Sequence, residues 1–195
     1  MLIYFDPIGD IDLFSTNLGS LNSNEQVQGI FVLTADKNEW PTQTINPLLS
    51  SLKKPVFGAL VPGLIFEDQN YDRGSILVGI YEPIDVKVLE SLSSSDIDVD
   101  SAIEAAFPSP LSPSTTFLFL DAFSPQISQV VDGLYNSFGL TTNYIGGGAG
   151  SLSMVQKPCI YSNSGLLQDV AIIAHTAVRS KIGVNHGWYP ISRPF

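Results

Sequence analysis

Basic residues are scarce in this sequence: nine Lys plus Arg stand against nineteen Asp plus Glu, a formal net charge of -10 at pH 7. Such a chain repels a duplex phosphate backbone, which excludes nucleic acid as an expected partner. The same charge disfavours an anionic membrane surface. No stretch approaches the roughly 18 uninterrupted apolar residues that a spanning helix needs, so no membrane partner is expected either. Cysteine occurs once, as Cys159, which excludes an internal disulfide framework. Met1 is followed by Leu2-Ile3-Tyr4-Phe5-Asp6, without the basic start and longer apolar run of a secretory signal. A reducing cytoplasm is the expected home.

Histidine is nearly as rare. His175 and His186 lie 11 residues apart and Cys159 stands 16 before His175, which matches no zinc spacing. The acidic group Asp96-Ile97-Asp98-Val99-Asp100 lacks the glycine and the terminal glutamate of a calcium loop, and reads as a solvated helix approach. No metal is expected. Gly-x-Ser-x-Gly does not occur, and Met1 precludes an unprocessed nucleophile at the N-terminus. Cys159 follows Pro158 in an apparent strand, where a free cysteine behaves as a small hydrophobe; a Cys159–His186 dyad is the remaining catalytic alternative. The expectation is a protein with no catalytic residues, not an enzyme.

What the chain does have is apolar content, 44% of residues against 14% charged. So little polar surface must cover a large interior or leave a contact face, for which a homo-oligomer or a partner domain is the expected cover. Gly29 to Leu33 is a short, fully apolar strand. Trp40 to Leu52 carries Ile45, Leu48, Leu49 and Leu52 at helical spacing, with Pro47 expected in a first turn or at a break. Val56 to Phe66 and Ser75 to Tyr81 flank a polar turn and are expected to pair as a hairpin. Thr115 to Leu120 opens the same order again. Ser124-Pro125 is expected to cap a helix that presents Ile127, Val130, Val131, Leu134 and Phe138 and ends at Gly139. Strands follow near Cys159-Ile160-Tyr161 and from Val170 to Val178. The expected fold class is α+β: a single domain, 1–195, of duplicated β-α-β-β units, about 27–90 and 114–180, with mixed or antiparallel sheets and helices outside. Glu90 to Pro113, with one helix near Val99 to Phe107, is expected to be a connector. Whether the units share one sheet or stack two is left open by the pattern.

Three stretches taken in order, Gly58-Ala59-Leu60-Val61-Pro62-Gly63, Tyr144-Ile145-Gly146-Gly147-Gly148-Ala149-Gly150 and Asn185-His186-Gly187-Trp188-Tyr189-Pro190-Ile191, resemble the FIST N-terminal domain family. The resemblance implies an intracellular sensory module that binds a small ligand, an amino acid or similar metabolite, and passes the signal to an output partner. It further implies a C-terminal FIST partner domain, expected to be absent from this chain, and offers haem as an alternative ligand, held by His186 or His175. The first stretch departs from the family, with Ala59-Leu60-Val61-Pro62 and Leu64 where relatives carry small polar and acidic residues.

The glycine run is not a nucleotide signature, because Ser151 takes the last glycine position of the dinucleotide fingerprint and no Gly-Lys-Ser/Thr opens a helix. Its residues, Gly146, Gly147, Gly148, Ala149 and Gly150, let a ligand or another strand approach the backbone. Asn185, His186, Trp188 and Tyr189 suit stacking and hydrogen bonding to a small organic molecule. These nine positions are the candidate ligand site, and a strand crossing or bulge is the competing reading of the glycines. His175 is expected to be a satisfied core histidine. A structural or assembly module without a ligand remains the alternative of another class.

Overall fold

The computed structural model describes residues 1–108 and 114–184. The chain opens with β1 (Leu2–Asp6) and α1 (Ile11–Ser23). The Asp10 carboxylate caps α1 by accepting from the Asp12 and Leu13 N–H groups. Phe14, Leu18 and Leu21 recur at i, i+4 and i+7, which turns one face of the helix into the core. Then come β2 (Gly29–Ala35), α2 (Thr42–Ser50), β3 (Val56–Val61), the short β4 (Leu64–Phe66) and β5 (Gln69–Tyr71), and β6 (Ser75–Ile80). The remainder runs β7 (Ile84–Leu89), α3 (Val99–Ala106), β8 (Ser114–Asp121), α4 (Ile127–Phe138), β9 (Thr142–Ala149), β10 (Ile160–Ser162), β11 (Gly165–Leu167) and β12 (Ala171–Thr176).

These elements form an α+β fold in four layers. One sheet has the order β1-β6-β2-β3-β10-β11 and the other β7-β12-β8-β9, while among the described residues β4 and β5 pair only with each other. Helices α1 and α2 bury Phe14, Leu18, Leu21, Ile45 and Leu49 against Ile30, Val32, Val56 and Leu77 of the first sheet. On the opposite outer face, α3 and α4 bury Val99, Ile103, Val130, Leu134 and Phe138 against Leu120, Ala171 and Ile173 of the second. Between the sheets lies a third apolar layer, with Phe57, Ala59 and Ile160 from one side and Phe119, Ile172 and Ala174 from the other. Its aromatic centre is Phe31, whose ring stacks on Phe57 at 5.2 Å and on Phe119 at 5.4 Å. The sheets are stacked rather than shared. Among the described residues no helix is long and apolar enough to cross a membrane.

Four-strand blocks of the two sheets share one plan. In each, the second strand of a parallel pair (β3, β9) lies beside the first (β2, β8), whose other neighbour is antiparallel (β6, β12) and is followed by a further antiparallel strand (β1, β7). The match extends beyond the expected repeat, since it takes in β1 with α1 and β7 with α3. The one helix expected in the Glu90 to Pro113 stretch is α3, which follows β7 as α1 follows β1.

Other expectations also change. The two runs expected to form a hairpin do not touch as strands, because β2 lies between β3 and β6 and pairs with both; the local hairpin is β4–β5. Pro47 sits inside α2, tolerated because Ile45 and Leu49 anchor the short helix in the core. Ser124 does not cap α4: its hydroxyl accepts from the Gln126 N–H in a preceding turn, and the helix starts at Ile127. Finally, β10 and β11 follow β9 in sequence but join the other sheet, β10 pairing antiparallel with β3, so the two layers are stitched together by the chain itself.

Candidate functional site

Of the nine candidate site positions, Asn185, His186, Trp188 and Tyr189 lie outside the described residues. Gly146 to Ala149 form the second half of β9 and Gly150 follows it; β9 is the rim strand of its sheet, with β8 as its one strand partner among the described residues. Its first glycine is structural. Gly146 has φ +152°, and a Cβ there would lie 1.7 Å from the Leu118 carbonyl oxygen. Gly58 on β3 repeats this against Val32, with the same φ and 1.8 Å. Both are close crossings that no other residue fits. Gly147 differs, since an added Cβ would meet nothing within 4 Å. Ala149 is buried between the sheets, and the Gly150 N–H is donated to Leu60 O at 3.0 Å.

Beside Gly146 to Gly148 lies a groove of about 340 Å³, floored by Leu118 and Leu120 and walled by Ile127, Val131, Leu134 and Tyr135 of α4 with Tyr144 and Ile145 of β9. Among the described residues no charged side chain lines it. The face is open: Val131 is 50% exposed and Tyr135 49%. On the other face of the same glycines a wider apolar recess runs between Phe31, Phe119 and the β4 residues Leu64 and Ile65. Sequence reasoning reached the glycines but not the wall, since Val131 read as part of an ordinary helix stripe and Tyr135 lay outside that stripe.

A second cluster went unseen because its members are far apart in sequence. Asp36, just past β2, accepts hydrogen bonds from Ser151 Oγ at 2.8 Å and the Leu152 N–H at 3.1 Å, and pairs with Lys157 Nζ. Burial pushes the Asp36 carboxyl up, but the bonds from Lys157, Ser151 and Leu152, with the lysine charge, outweigh it and hold the group below its ordinary value. Asp121, at the end of β8, accepts from Gln156 Nε2 at 2.7 Å and from the Asp169 N–H at 3.0 Å. Two carboxylates, one per sheet, thus clasp the segment that leads from the glycine run to β10. The pocket beside Asp36 is only about 90 Å³, and its ammonium and carboxylate are spent on each other.

His175 is a core residue: 3% exposed, bonded through Nδ1 to Thr116 Oγ1 at 2.7 Å and stacked on Phe138 at 4.6 Å. Burial, with the charge of Asp121, pushes the Cys159 thiol up to about 12, leaving almost no thiolate at neutral pH. No group of three metal-ligating side chains occurs among the described residues.

The described residues thus form a four-layer sandwich with an apolar groove at a glycine-rich rim. Its matching sequence model is the FIST N domain, over residues 29–195, and the chain belongs to that family, whose domains are sensory modules of signal transduction. The search of curated proteins found no match.

Proposed function

We propose that this chain is the ligand-receiving part of a sensory module, and that the groove between α4 and β9 takes a small metabolite with an apolar body. The observation that supports this reading is the groove itself: about 340 Å³ of uncharged, open space beside backbone that lacks side chains. A cavity of roughly 150 Å³ suffices to hold benzene, so an aromatic or branched aliphatic group fits here. Amino acids with such side chains belong to this class, their charged end remaining at the open mouth beside the bare rim of β9. Binding would be read by an output partner, without catalysis. The haem reading has no described residue to carry it, since His175 is committed to Thr116 and Phe138.

A thermal-shift screen of hydrophobic amino acids and neutral aromatic metabolites tests the proposal. Stabilisation of about 2.7 kcal/mol is expected at a hundredfold excess over Kd, which in a domain of this size raises Tm by roughly 5 to 11 °C. Val131→Glu, which puts a charge into the wall, should abolish the response. A ligand whose shift survives that substitution binds elsewhere, and the groove loses its role.

The shared plan of the two sheets supports a further reading, that they are copies of one unit running from β1 to β6 and from β7 to β12. Superposing the two backbones should bring Gly58 onto Gly146.

A further inference from the structure

β3 and β9 hold the same place in their sheets, but among the described residues only β3 is covered on its far side. There β10 pairs with it in antiparallel register, Ile160 opposite Ala59, Tyr161 opposite Gly58 and Ser162 opposite Phe57. The Tyr161 side chain passes over Gly58 to the helix side, where it is buried at 1% exposure against Phe14, Ile45 and Leu49. Ile160 points the other way, into the layer between the sheets. The groove beside Gly146 lies at the corresponding place under α4, and the recess beside Gly147 corresponds to the place of Ile160. Beside β9 no described residue fills either position. The hairpin that precedes β6, as β10–β11 precedes β12, packs instead against Phe5, with Phe66 stacked on that ring at 4.1 Å.

Rim strands are ordinarily protected by charge, proline or shortness. β11 and β1 have three and five residues, and β7 carries Asp85 and Lys87. β9 has eight residues, and from Gly133 to Gln156 the sequence contains no Asp, Glu, Lys or Arg. We propose that the free edge of β9 is the docking site for an extended segment of a partner protein. That segment adds antiparallel to β9, with an aromatic residue opposite Gly146 entering the α4 groove and an aliphatic residue opposite Gly147 entering the recess. Main-chain hydrogen bonds hold it and alternate side chains select it. A second copy of this chain is a poor occupant. Pairing β9 with β9 would set glycines beside both openings and leave them unfilled, and would bring together two chains of net charge -10. The partner segment is uncharged at its centre and, given that charge, basic at its flanks. Since its aromatic residue uses the groove assigned to the small ligand, segment and ligand exclude one another; the docking site itself does not depend on the ligand reading.

The built-in template supplies the probe. A fluorescein-labelled peptide of residues 157–164, with serine in place of Cys159, is titrated into the full chain while fluorescence anisotropy and amide hydrogen exchange are followed. Saturable binding is expected, with exchange slowed at Ile145 to Gly148. Glycine in place of the peptide tyrosine should weaken binding by about tenfold or more, as should Val131→Glu in the protein. Gly147→Lys is the second variant should that one fail to fold. The proposal is overturned by absence of saturation up to about 1 mM peptide, by equal affinity for the tyrosine and glycine peptides, or by slow exchange in the peptide-free chain at those amides from Ile145 to Gly148 that point away from β8. It is equally overturned if these amides slow only as the chain dimerises, which would give the edge to a second copy. A chain that responds to small ligands but not to peptide loses the docking site and keeps the ligand reading; the reverse result does the opposite.

Discussion

β3 and β9 each run parallel to a central strand and cross it at a glycine whose φ is +152°, yet one is interior and the other a rim. Around Gly58 the second neighbour is in place, and Val56, Phe57 and Ala59 are fully buried. Around Gly146 the same crossing borders open space, and Ile145 remains 38% exposed. The crossing is therefore a requirement of the sheet, while the openness next to it depends on which neighbour the chain supplies. A glycine run does not by itself mark a binding site: its first member is architectural, and the openness at the residues that follow reflects a neighbour that no described residue supplies.

Substitution at the two crossings should have the largest effect. Gly58→Ala and Gly146→Ala each place a Cβ within 2 Å of a backbone carbonyl oxygen, and both should destabilise by about 3 kcal/mol or more. That corresponds to a Tm lower by roughly 6 to 12 °C. Differential scanning calorimetry that found Gly146→Ala unchanged would break the equivalence of the two strands. Next in size is Tyr161, which fills the slot left open beside β9. Tyr161→Ala should cost about 3 to 5 kcal/mol. Tyr161→Phe should cost about 1 to 2 kcal/mol, because it strands the buried Thr34 hydroxyl now 2.8 Å from the tyrosine oxygen. Chemical denaturation of both variants separates packing from hydrogen bonding. If Tyr161→Ala were nearly neutral, an occupied slot would be worth little and the empty one would have small pull on a partner.

Local signals made much of this legible in sequence. The apolar runs at β2 and β8, the spacing of Val130, Leu134 and Phe138 in α4, and the stop at Gly139 all report their elements directly. α1 was there to be read as well, in Asp10 followed by Phe14, Leu18 and Leu21. Pairing was less accessible. Nothing local says that β2 inserts between β3 and β6, or that β10 leaves its own layer for the other, because these choices are decided by which faces need cover once both sheets exist. The site divided along the same line. The glycines were visible, but the groove requires α4 above Leu118, and the Asp36 clasp joins residues more than a hundred positions apart, at separations of 115 and 121 for Ser151 and Lys157.

That clasp gives a prediction of middle size, and its sign follows from the Asp36 carboxyl being held below its ordinary value. A group whose acidity is strengthened on folding adds stability above its unfolded pKa, and that stability is lost as pH falls through the folded value. The contribution should be intact at pH 5 and should fade below about pH 4. Asp36→Asn removes the titrating group, so the variant should be less stable than the parent at pH 5, by about 1 to 2 kcal/mol given the half-exposed lysine, and the gap should narrow towards pH 3. Urea denaturation at the two pH values measures it. A gap that stays constant or widens in acid would mean that Asp36 is not the group that holds the 151–157 segment.

The smallest effect on stability is expected at Gly147, and it sharpens the comparison most. A Cβ at this position meets no atom within 4 Å, whereas its counterpart Ala59 is fully buried beneath β10. Gly147→Val adds a branched side chain that suits an extended strand and reduces the freedom of the unfolded chain. The net change in stability should lie within about 0.5 kcal/mol of zero. Ala59→Val is the contrasting substitution: it forces two methyl groups into a filled layer and should cost about 1 to 3 kcal/mol. The valine at 147 fills part of the recess, so it should weaken the peptide of residues 157–164 while leaving the melting curve unchanged. Paired melting and anisotropy measurements on the two variants decide the matter. Equal destabilisation at 147 and 59 would mean that the rim of β9 is already covered, and the difference between the two strands would then disappear.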